Sequence, residues 1–163
     1  MSRIRRERLN RSLVSSMHIF LGEVVFFVGL VSISLYLVLI FVGPTVRSIL
    51  DVNVRQSKWV LANFGFLSIS GVLFQLGGIW KQFERFSFVF YSFATVTSAA
   101  SFAIQLFKII VQGFEWIGVE MFPNQPIAHD SMFIAIGGFL FGFTSLYFIY
   151  SSINLWFETR ERL

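Results

Sequence analysis

Four long apolar stretches alternate with short polar segments along the chain. Each stretch exceeds the roughly 18 residues typical of a membrane span and holds at most one or two ionisable groups. The pattern predicts an all-α membrane protein, folded as an antiparallel bundle of four transmembrane helices. The transmembrane domain is expected at residues 17–157, with spans at about 17–42, 59–79, 87–112 and 131–157. Residues 1–16 then form a basic N-terminal segment, and residues 158–163 form a C-terminal tail.

The first stretch is longer than the apolar part of a signal peptide, which has roughly 7–15 residues. Gly43 and Pro44 follow it, and no small-residue cleavage pattern is present there. Because proline cannot donate the backbone hydrogen bond that a helix requires, we expect the first helix to end at this point. The stretch is therefore predicted to be a retained transmembrane helix.

The two connections on the side away from the chain termini carry apolar residues at helical spacing. Within residues 44–58 these are Val46, Ile49, Leu50 and Val54, and within residues 114–122 they are Phe114, Ile117, Met121 and Phe122. Charged residues occupy the opposite faces. The pattern predicts two short amphipathic helices lying in the headgroup plane. They either seal the ends of the spans or form a platform for a partner outside the membrane.

Small residues recur every seven positions in the apolar stretches and predict where the helices touch. Apolar burial does not drive helices together in lipid, so close backbone approach has to contribute instead. Seven-residue spacing keeps such residues on one face when helices wrap left-handedly. The predicted packing residues are Gly22 and Gly29, Gly71 and Gly78, Ala94 and Ser101, and Gly138 and Ser145. Gly142 completes a GxxxG pattern with Gly138, which favours right-handed helix dimers.

The basic residues predict the orientation of the chain. Nine of the 13 Lys and Arg residues lie on the side that holds both termini and the turn between the second and third spans. The positive-inside rule therefore places both termini in the cytoplasm. Five arginines form one run before the first stretch, namely Arg3, Arg5, Arg6, Arg8 and Arg11. A run beside an apolar helix suits anionic headgroups, so the bilayer is an expected partner and nucleic acid is not.

Composition narrows the classes of function. The chain is 55% hydrophobic and 13% charged, which excludes an ordinary soluble domain. The absence of cysteine excludes disulfides and thiolate metal sites. His18 and His129 lie at opposite ends of the predicted spans, so one chain cannot hold a haem between them. Because no hydrolase, zinc-protease or phosphate-loop motif occurs either, we expect no enzyme activity, no metal and no cofactor.

Two ionisable residues, Glu23 and Lys108, lie within the predicted spans. Such residues are costly in hydrocarbon and are candidates for function, each with an expected partner. Gln75 lies at the depth of Glu23, whereas Gln105 and Asp130 lie near the depth of Lys108, and Asp130 is also the expected N-cap of the last span. One interpretation makes Glu23 a proton or cation site and Lys108 an anion site. The other makes both of them paired residues that hold helices together.

The sequence favours a small, non-catalytic membrane subunit that packs against a larger transport or energy-converting complex, or against copies of itself. The polar segments are too short for a separate enzyme domain, and the 22 phenylalanines occupy all sides of the predicted helices. Some of these rings therefore face lipid or another subunit. The alternative is an ion or small-solute channel or transporter that acts as a homo-oligomer, with Glu23 and Lys108 as its charged positions.

Overall fold

The structure, a computed structural model, describes residues 3–50, 54–80 and 83–160, with side chains from residue 16 onward except those of residues 18 and 46–50. All regular structure in these ranges is helical. The helices are α1 (Arg3–Leu50), α2 (Lys58–Ile79), α3 (Glu84–Gln112), α4 (Trp116–Met121) and α5 (Ser131–Arg160). A short 3-10 helix, Pro126–His129, lies between α4 and α5.

Four of the helices are long and apolar enough to cross a membrane. The candidate spans are Ile19–Thr45, Lys58–Ile79, Glu84–Gln112 and Ser131–Arg160. The predicted number and order of long apolar helices are thereby confirmed. Each predicted span lies mostly within one of these helices, because an unbroken apolar run of this length satisfies its backbone polar groups only as a helix.

The prediction that the first helix ends at Pro44 is wrong. Pro44 lies inside α1, which continues to Leu50. Proline removes one backbone hydrogen bond from a helix, and a helix with many other bonds on both sides tolerates the loss. Residues 44–50 therefore prolong α1, and residues 54–57 are not helical. The described part of this connection thus contains no separate amphipathic helix, in contrast to the prediction for residues 44–58.

The long helices pack in chain order, α1 on α2, α2 on α3 and α3 on α5. Helices α1 and α2 run in opposite directions: Gly22 of α1 lies against Gln75 of α2, and Tyr36 bonds to Ser57 just before α2 begins. We call the end that holds α4 and the α1–α2 connection the connection end. The opposite end, which holds the α2–α3 turn and the last turn of α5, is called the terminal end.

Helix α1 lies at the edge of the assembly. Within the described part of the chain, its extensive contacts are with α2 alone. In an 18-residue apolar window of its span 17% of the residues are buried, compared with 44% in the corresponding window of α2. Large apolar side chains therefore project from α1, among them Phe20, Phe27, Leu35 and Phe41.

The apolar core has two parts, and α4 covers the one at the connection end. Trp116, Ile117 and Met121 of α4 are buried there against residues from α1, α2 and α5, including Tyr36, Phe64 and Leu140. The second part lies nearer the terminal end and comprises Val25, Leu67, Phe74, Tyr91, Ala94 and Tyr147. The apolar face of α4 therefore packs on its own chain.

Candidate functional site

The buried face of α3 is made of polar and small side chains along nearly its whole length. Its fully or almost fully buried members are Ser87, Tyr91, Ala94, Ser98, Ser101, Gln105 and Lys108. We call this set the polar face of α3. Its spacing alternates between three and four residues, which keeps all members on one side of a helix. The opposite side carries exposed apolar residues such as Phe93, Val96 and Ile110. This arrangement is the reverse of that in a water-soluble helix and suits a helix surrounded by lipid.

Towards the terminal end, hydrogen bonds join the polar face of α3 to both neighbouring helices. Ser87 Oγ donates to the carbonyl oxygen of Gly77 at 3.1 Å, and Ser70 Oγ donates to that of Ala94 at 2.9 Å. The hydroxyl of Tyr147 on α5 lies 3.3 Å from Ser70 Oγ. These bonds hold α2, α3 and α5 together where apolar burial alone gives little driving force.

In the middle of the polar face, two amide side chains bridge the helices. Ser101 Oγ donates to Asn63 Oδ1 of α2 at 2.8 Å. Gln105 Nε2 donates to Thr144 Oγ1 of α5 at 2.7 Å. All four residues are fully buried. Gln105 thus lies in the core between α3 and α5, one turn away from Lys108, and does not bind it.

At the connection end, Lys108 forms an ion pair with Glu120 of the segment after α3. The distance from Lys108 Nζ to Glu120 Oε1 is 2.5 Å, and Lys108 also lies over the ring of Trp59, 4.8 Å from its centroid. Gln112 Nε2 donates to the same carboxylate oxygen at 3.1 Å, and Ser57 Oγ donates to the other at 2.7 Å. We call Ser57, Lys108, Gln112 and Glu120 the Glu120 cluster.

These bonds control the ionisation of Glu120. Burial alone would raise the pKa of its carboxyl group. The hydrogen bonds from Lys108, Ser57 and Gln112, together with the charge of Lys108, outweigh burial and hold the pKa below its ordinary value. The carboxylate is therefore ionised at neutral pH and neutralises the lysine within the span.

Asp130, which the sequence places near the depth of Lys108, does not pair with it in the structure. Asp130 Oδ1 accepts a hydrogen bond of 2.8 Å from the backbone N–H of Met132, so Asp130 caps the start of α5, as also predicted. The partner is instead Glu120, which the sequence pattern placed on the polar side of an interfacial helix. Its position at an end of α4, over the last turn of α3, could not be derived from helical periodicity, because the turn at Gly113 reverses the chain.

The non-helical segment before α2 is anchored to two other elements. The hydroxyl of Tyr36 accepts a hydrogen bond from the backbone N–H of Ser57 and donates to its carbonyl oxygen at 3.2 Å. The N–H of Arg55 donates to the carbonyl oxygen of Met121 at 2.7 Å. A pocket of about 410 Å³ opens at this place and is lined by Arg55, Gln56, Ser57, Lys58, Trp59 and Glu120. We call it the connection-end pocket.

Glu23 lies on a different surface from Lys108. It is exposed on α1, and Gln75 Nε2 of α2 donates to its carboxylate at 3.4 Å. The two residues face an open groove of about 550 Å³, otherwise lined by Phe20, Val24, Phe26, Phe27 and Val28. The structure thus brings Gln75 to Glu23. It does not bring Glu23 and Lys108 together, since Glu23 lies near the terminal end and Lys108 near the connection end.

The predicted small residues of the first three spans lie at helix contacts. Gly22 and Gly71 face each other across α1 and α2: a Cβ on Gly22 would lie 2.9 Å from the carbonyl oxygen of Gly71. A Cβ on Gly29 would collide with Ser68. Gly78 is buried in α2, and Ala94 and Ser101 belong to the polar face of α3.

In α5 the contact register is one residue earlier than predicted. Gly138 and Ser145 are half-buried, and Gly142 is exposed with open space around it. The buried positions are Gly137, Thr144 and Ser151. Because small residues occupy both 137 and 138, spacing alone could not select the register. Of the GxxxG pair, Gly138 therefore lies only at the margin of the contact with Phe114, and Gly142 lies outside the contacts of the described residues.

Within the described residues, no group of three or more His, Asp or Glu side chains is placed to hold a metal ion. His129 Nδ1 lies 2.8 Å from Glu115 Oε1, and this pair is at the surface. The side chain of His18 lies outside the described part.

The sequence carries a second seven-residue repeat, formed by Tyr91, Ser98 and Gln105 and parallel to that of Ala94 and Ser101. Of its three members only Gln105 is among the predicted site residues.

No protein-family model matches the chain, and no curated protein or solved structure matches it.

Proposed function

We propose that this protein is a non-catalytic membrane subunit that packs against a larger membrane complex through α1. The observation that carries the proposal is the position of Glu23: it is exposed on a membrane-spanning helix, in a groove whose other walls are mainly apolar. An ionised side chain facing hydrocarbon is costly and normally has a partner. Among the described residues Gln75 supplies one hydrogen bond at 3.4 Å, which uses only part of the carboxylate's capacity to accept hydrogen bonds.

The occupant that suits this groove is a transmembrane helix of the larger complex, with a basic or amide side chain at the depth of Glu23. Such a side chain would neutralise the carboxylate, and the helix would cover Phe20 and Phe27, which are both more than half exposed. The edge position of α1 supports the same docking surface. One side of α1 packs on α2, and the other side is exposed in the described part of the chain.

In the membrane, we propose that the four spans form an antiparallel bundle with both termini in the cytoplasm. The excess of basic residues on the terminal side supports this orientation. It places the connection-end pocket and α4 on the opposite side of the membrane, with α4 sealing the ends of α2, α3 and α5 at the headgroup level.

A second candidate is an ion or small-solute channel that works as a homo-oligomer. The polar face of α3 favours it, because a continuous row of buried polar groups is what a path through hydrocarbon requires. Glu23 lies on another surface, so the charged positions of such a path would be Lys108 and Glu120 alone. Gly142 of the GxxxG pair is exposed on α5 and Gly138 is half-buried beside it, and this face is available for self-association in this case.

The test starts from the protein purified in a mild detergent together with the proteins that remain bound to it. A photo-crosslinking residue in place of Phe27 is expected to react with one membrane subunit at fixed stoichiometry. The same residue in place of Phe107, which is exposed on α3, is not expected to react with that subunit.

Glu23→Lys is expected to abolish the complex, whereas Glu84→Lys, outside the groove, retains it. A complex that survives Glu23→Lys contradicts the proposed surface. A homo-oligomer that conducts ions in liposomes supports the channel instead.

A further inference from the structure

The lining of the connection-end pocket is polar and charged and comes almost entirely from one short segment. Five of its six residues are consecutive, from Arg55 to Trp59, and Glu120 is the sixth. The pocket has a volume of about 410 Å³, within the range of roughly 300–1,000 Å³ that is typical of small-molecule sites. Because such sites are usually lined mostly by apolar side chains, this lining indicates a hydrophilic, charged ligand.

The charge of the pocket is positive. Glu120 supplies the one negative charge among its six lining residues. Both oxygens of that carboxylate are bonded within the Glu120 cluster, and the charge of Lys108 cancels that of Glu120. Arg55 and Lys58 then remain, and in the described part of the chain neither forms a salt bridge. Two cationic side chains therefore face the pocket without an anion to match them among the described residues.

The start of α2 adds to this positive potential. The N-terminus of a helix carries a partial positive charge and normally attracts acidic side chains. The first turn of α2 contains none. The helix begins instead with Lys58, and Arg55 lies two residues before its N-cap, Ser57. Both cations are thus on the unfavourable end of the helix dipole, and an anion bound in the pocket would offset all three positive charges.

Phosphate is the anion that this combination of side chains suits best. The guanidinium of arginine donates two parallel hydrogen bonds to a pair of phosphate oxygens, and lysine adds a compact positive charge. The rings beside the pocket favour a phosphate carried by a lipid. Trp59 lines the pocket, and the centroid of its ring lies 6.0 Å from that of Phe107. Both side chains are about half exposed, so acyl chains can lie along them, and tryptophan is typical of the headgroup level.

We propose that the connection-end pocket binds a phosphate group between Arg55 and Lys58 at the start of α2. The phosphate belongs either to the headgroup of an anionic phospholipid or to a free phosphate ion, and both present the same oxygens and negative charge to the pocket. The exposed rings of Trp59 and Phe107 favour the lipid. This inference does not depend on the subunit proposal, because different residues line the groove of α1.

The test removes the two positive charges of the pocket. The pocket variant combines Arg55→Gln with Lys58→Gln, and since both side chains are exposed, neither change leaves a buried group without a partner. The matched control combines Arg85→Gln with Arg160→Gln, which removes two exposed positive charges at the terminal end. The wild type and both double variants are delipidated in a nonionic detergent, and circular dichroism verifies that each is folded.

Two probes distinguish the sources of phosphate. Native mass spectrometry measures the binding of phosphatidylglycerol, with the zwitterionic phosphatidylcholine for comparison. The thermal midpoint measures stabilisation by inorganic phosphate, with chloride at the same ionic strength for comparison. The affinity for phosphatidylglycerol is expected to fall at least about tenfold in the pocket variant, because two charge-assisted contacts are lost, and to change less than about twofold in the control.

Each outcome decides the proposal. Weaker phosphatidylglycerol binding in the pocket variant alone identifies the lipid as the ligand. Weaker stabilisation by inorganic phosphate with unchanged lipid binding identifies the free ion, and loss of both shows that the pocket accepts either source. If neither probe separates the pocket variant from the wild type, or if the control loses as much, the proposal is overturned. Glu23→Lys has no bearing on these measurements, so this proposal and the subunit proposal fail independently.

Discussion

The ammonium group of Lys108 lies 2.5 Å from the carboxylate of Glu120, so a charge within the third span is neutralised by a residue beyond its end. Both side chains are largely buried, and Ser57 and Gln112 complete the hydrogen bonding of the carboxylate. The pair fastens α4 to α3 and to the start of α2. It is therefore the main polar link among the elements at the connection end.

Removing one member of this pair should destabilise the protein more than removing both. Glu120→Gln or Lys108→Met leaves the other charge buried, and we expect each to cost about 3 kcal/mol in the free energy of unfolding. The double variant leaves no unpaired charge and should recover part of that loss. Thermal unfolding in detergent measures all three, with Glu115→Gln as the control, because its surface pair with His129 should contribute less than about 1 kcal/mol. Additive losses in the double variant would contradict the coupling.

The same carboxylate should make stability depend on pH in the acid range. The pKa of Glu120 in the folded protein lies below the 4.5 of a free side chain, so the folded state binds this proton more weakly than the unfolded state. The stabilisation is complete above pH 4.5 and is lost as the pH falls through the lower, folded-state pKa. Thermal midpoints between about pH 6 and pH 3 should fall more for the wild type than for Glu120→Gln. Parallel curves for the two proteins would show that Glu120 does not contribute.

The α1–α2 contact should be sensitive to a single methyl group at Gly71. A Cβ there would collide with the backbone of Phe26 and lie 2.9 Å from the carbonyl oxygen of Gly22. Because backbone cannot move aside as a side chain does, we expect Gly71→Ala to destabilise by about 1–3 kcal/mol and to separate α1 from α2. Gly65→Ala is the matched control, since no atom lies within 4 Å of its added Cβ. Proteolysis of α1 in detergent, compared between the two variants, measures the separation, and equal cleavage would contradict the contact.

Adjacent glycines of α5 should respond very differently to the same substitution. A Cβ on Gly137 would collide with the carbonyl oxygen of Phe114, whereas on Gly138 the nearest atom of Phe114 would be at an ordinary 3.9 Å. Gly137→Ala is expected to lower the thermal midpoint by several degrees, equivalent to about 1–3 kcal/mol, and Gly138→Ala to leave it nearly unchanged. If Gly138→Ala were the more destabilising variant, the register predicted from the spacing would be correct and that of the structure wrong.

The four spans could be predicted because their signal is local: each needs only a run of apolar residues long enough to cross the bilayer. Glu23 and Lys108 could be singled out as candidates for the same reason, since a charge in such a run is easily recognised. Their partners were only partly predictable. Gln75 lies at the depth of Glu23 and the structure joins them, but Lys108 pairs with Glu120 and not with Asp130.

By itself, the sequence determined that the chain forms four long apolar helices, since hydrocarbon leaves an unbroken apolar run no other way to satisfy its backbone. Only the tertiary structure decided how each helix is rotated about its axis and which connection folds back over it. A shift of one residue turns a helical face by about 100°, which separates Gly137 from Gly138 in their contacts. The pairing of Lys108 likewise depends on the turn at Gly113 and on the position of α4. Both arise from packing between residues distant in sequence rather than from any local pattern.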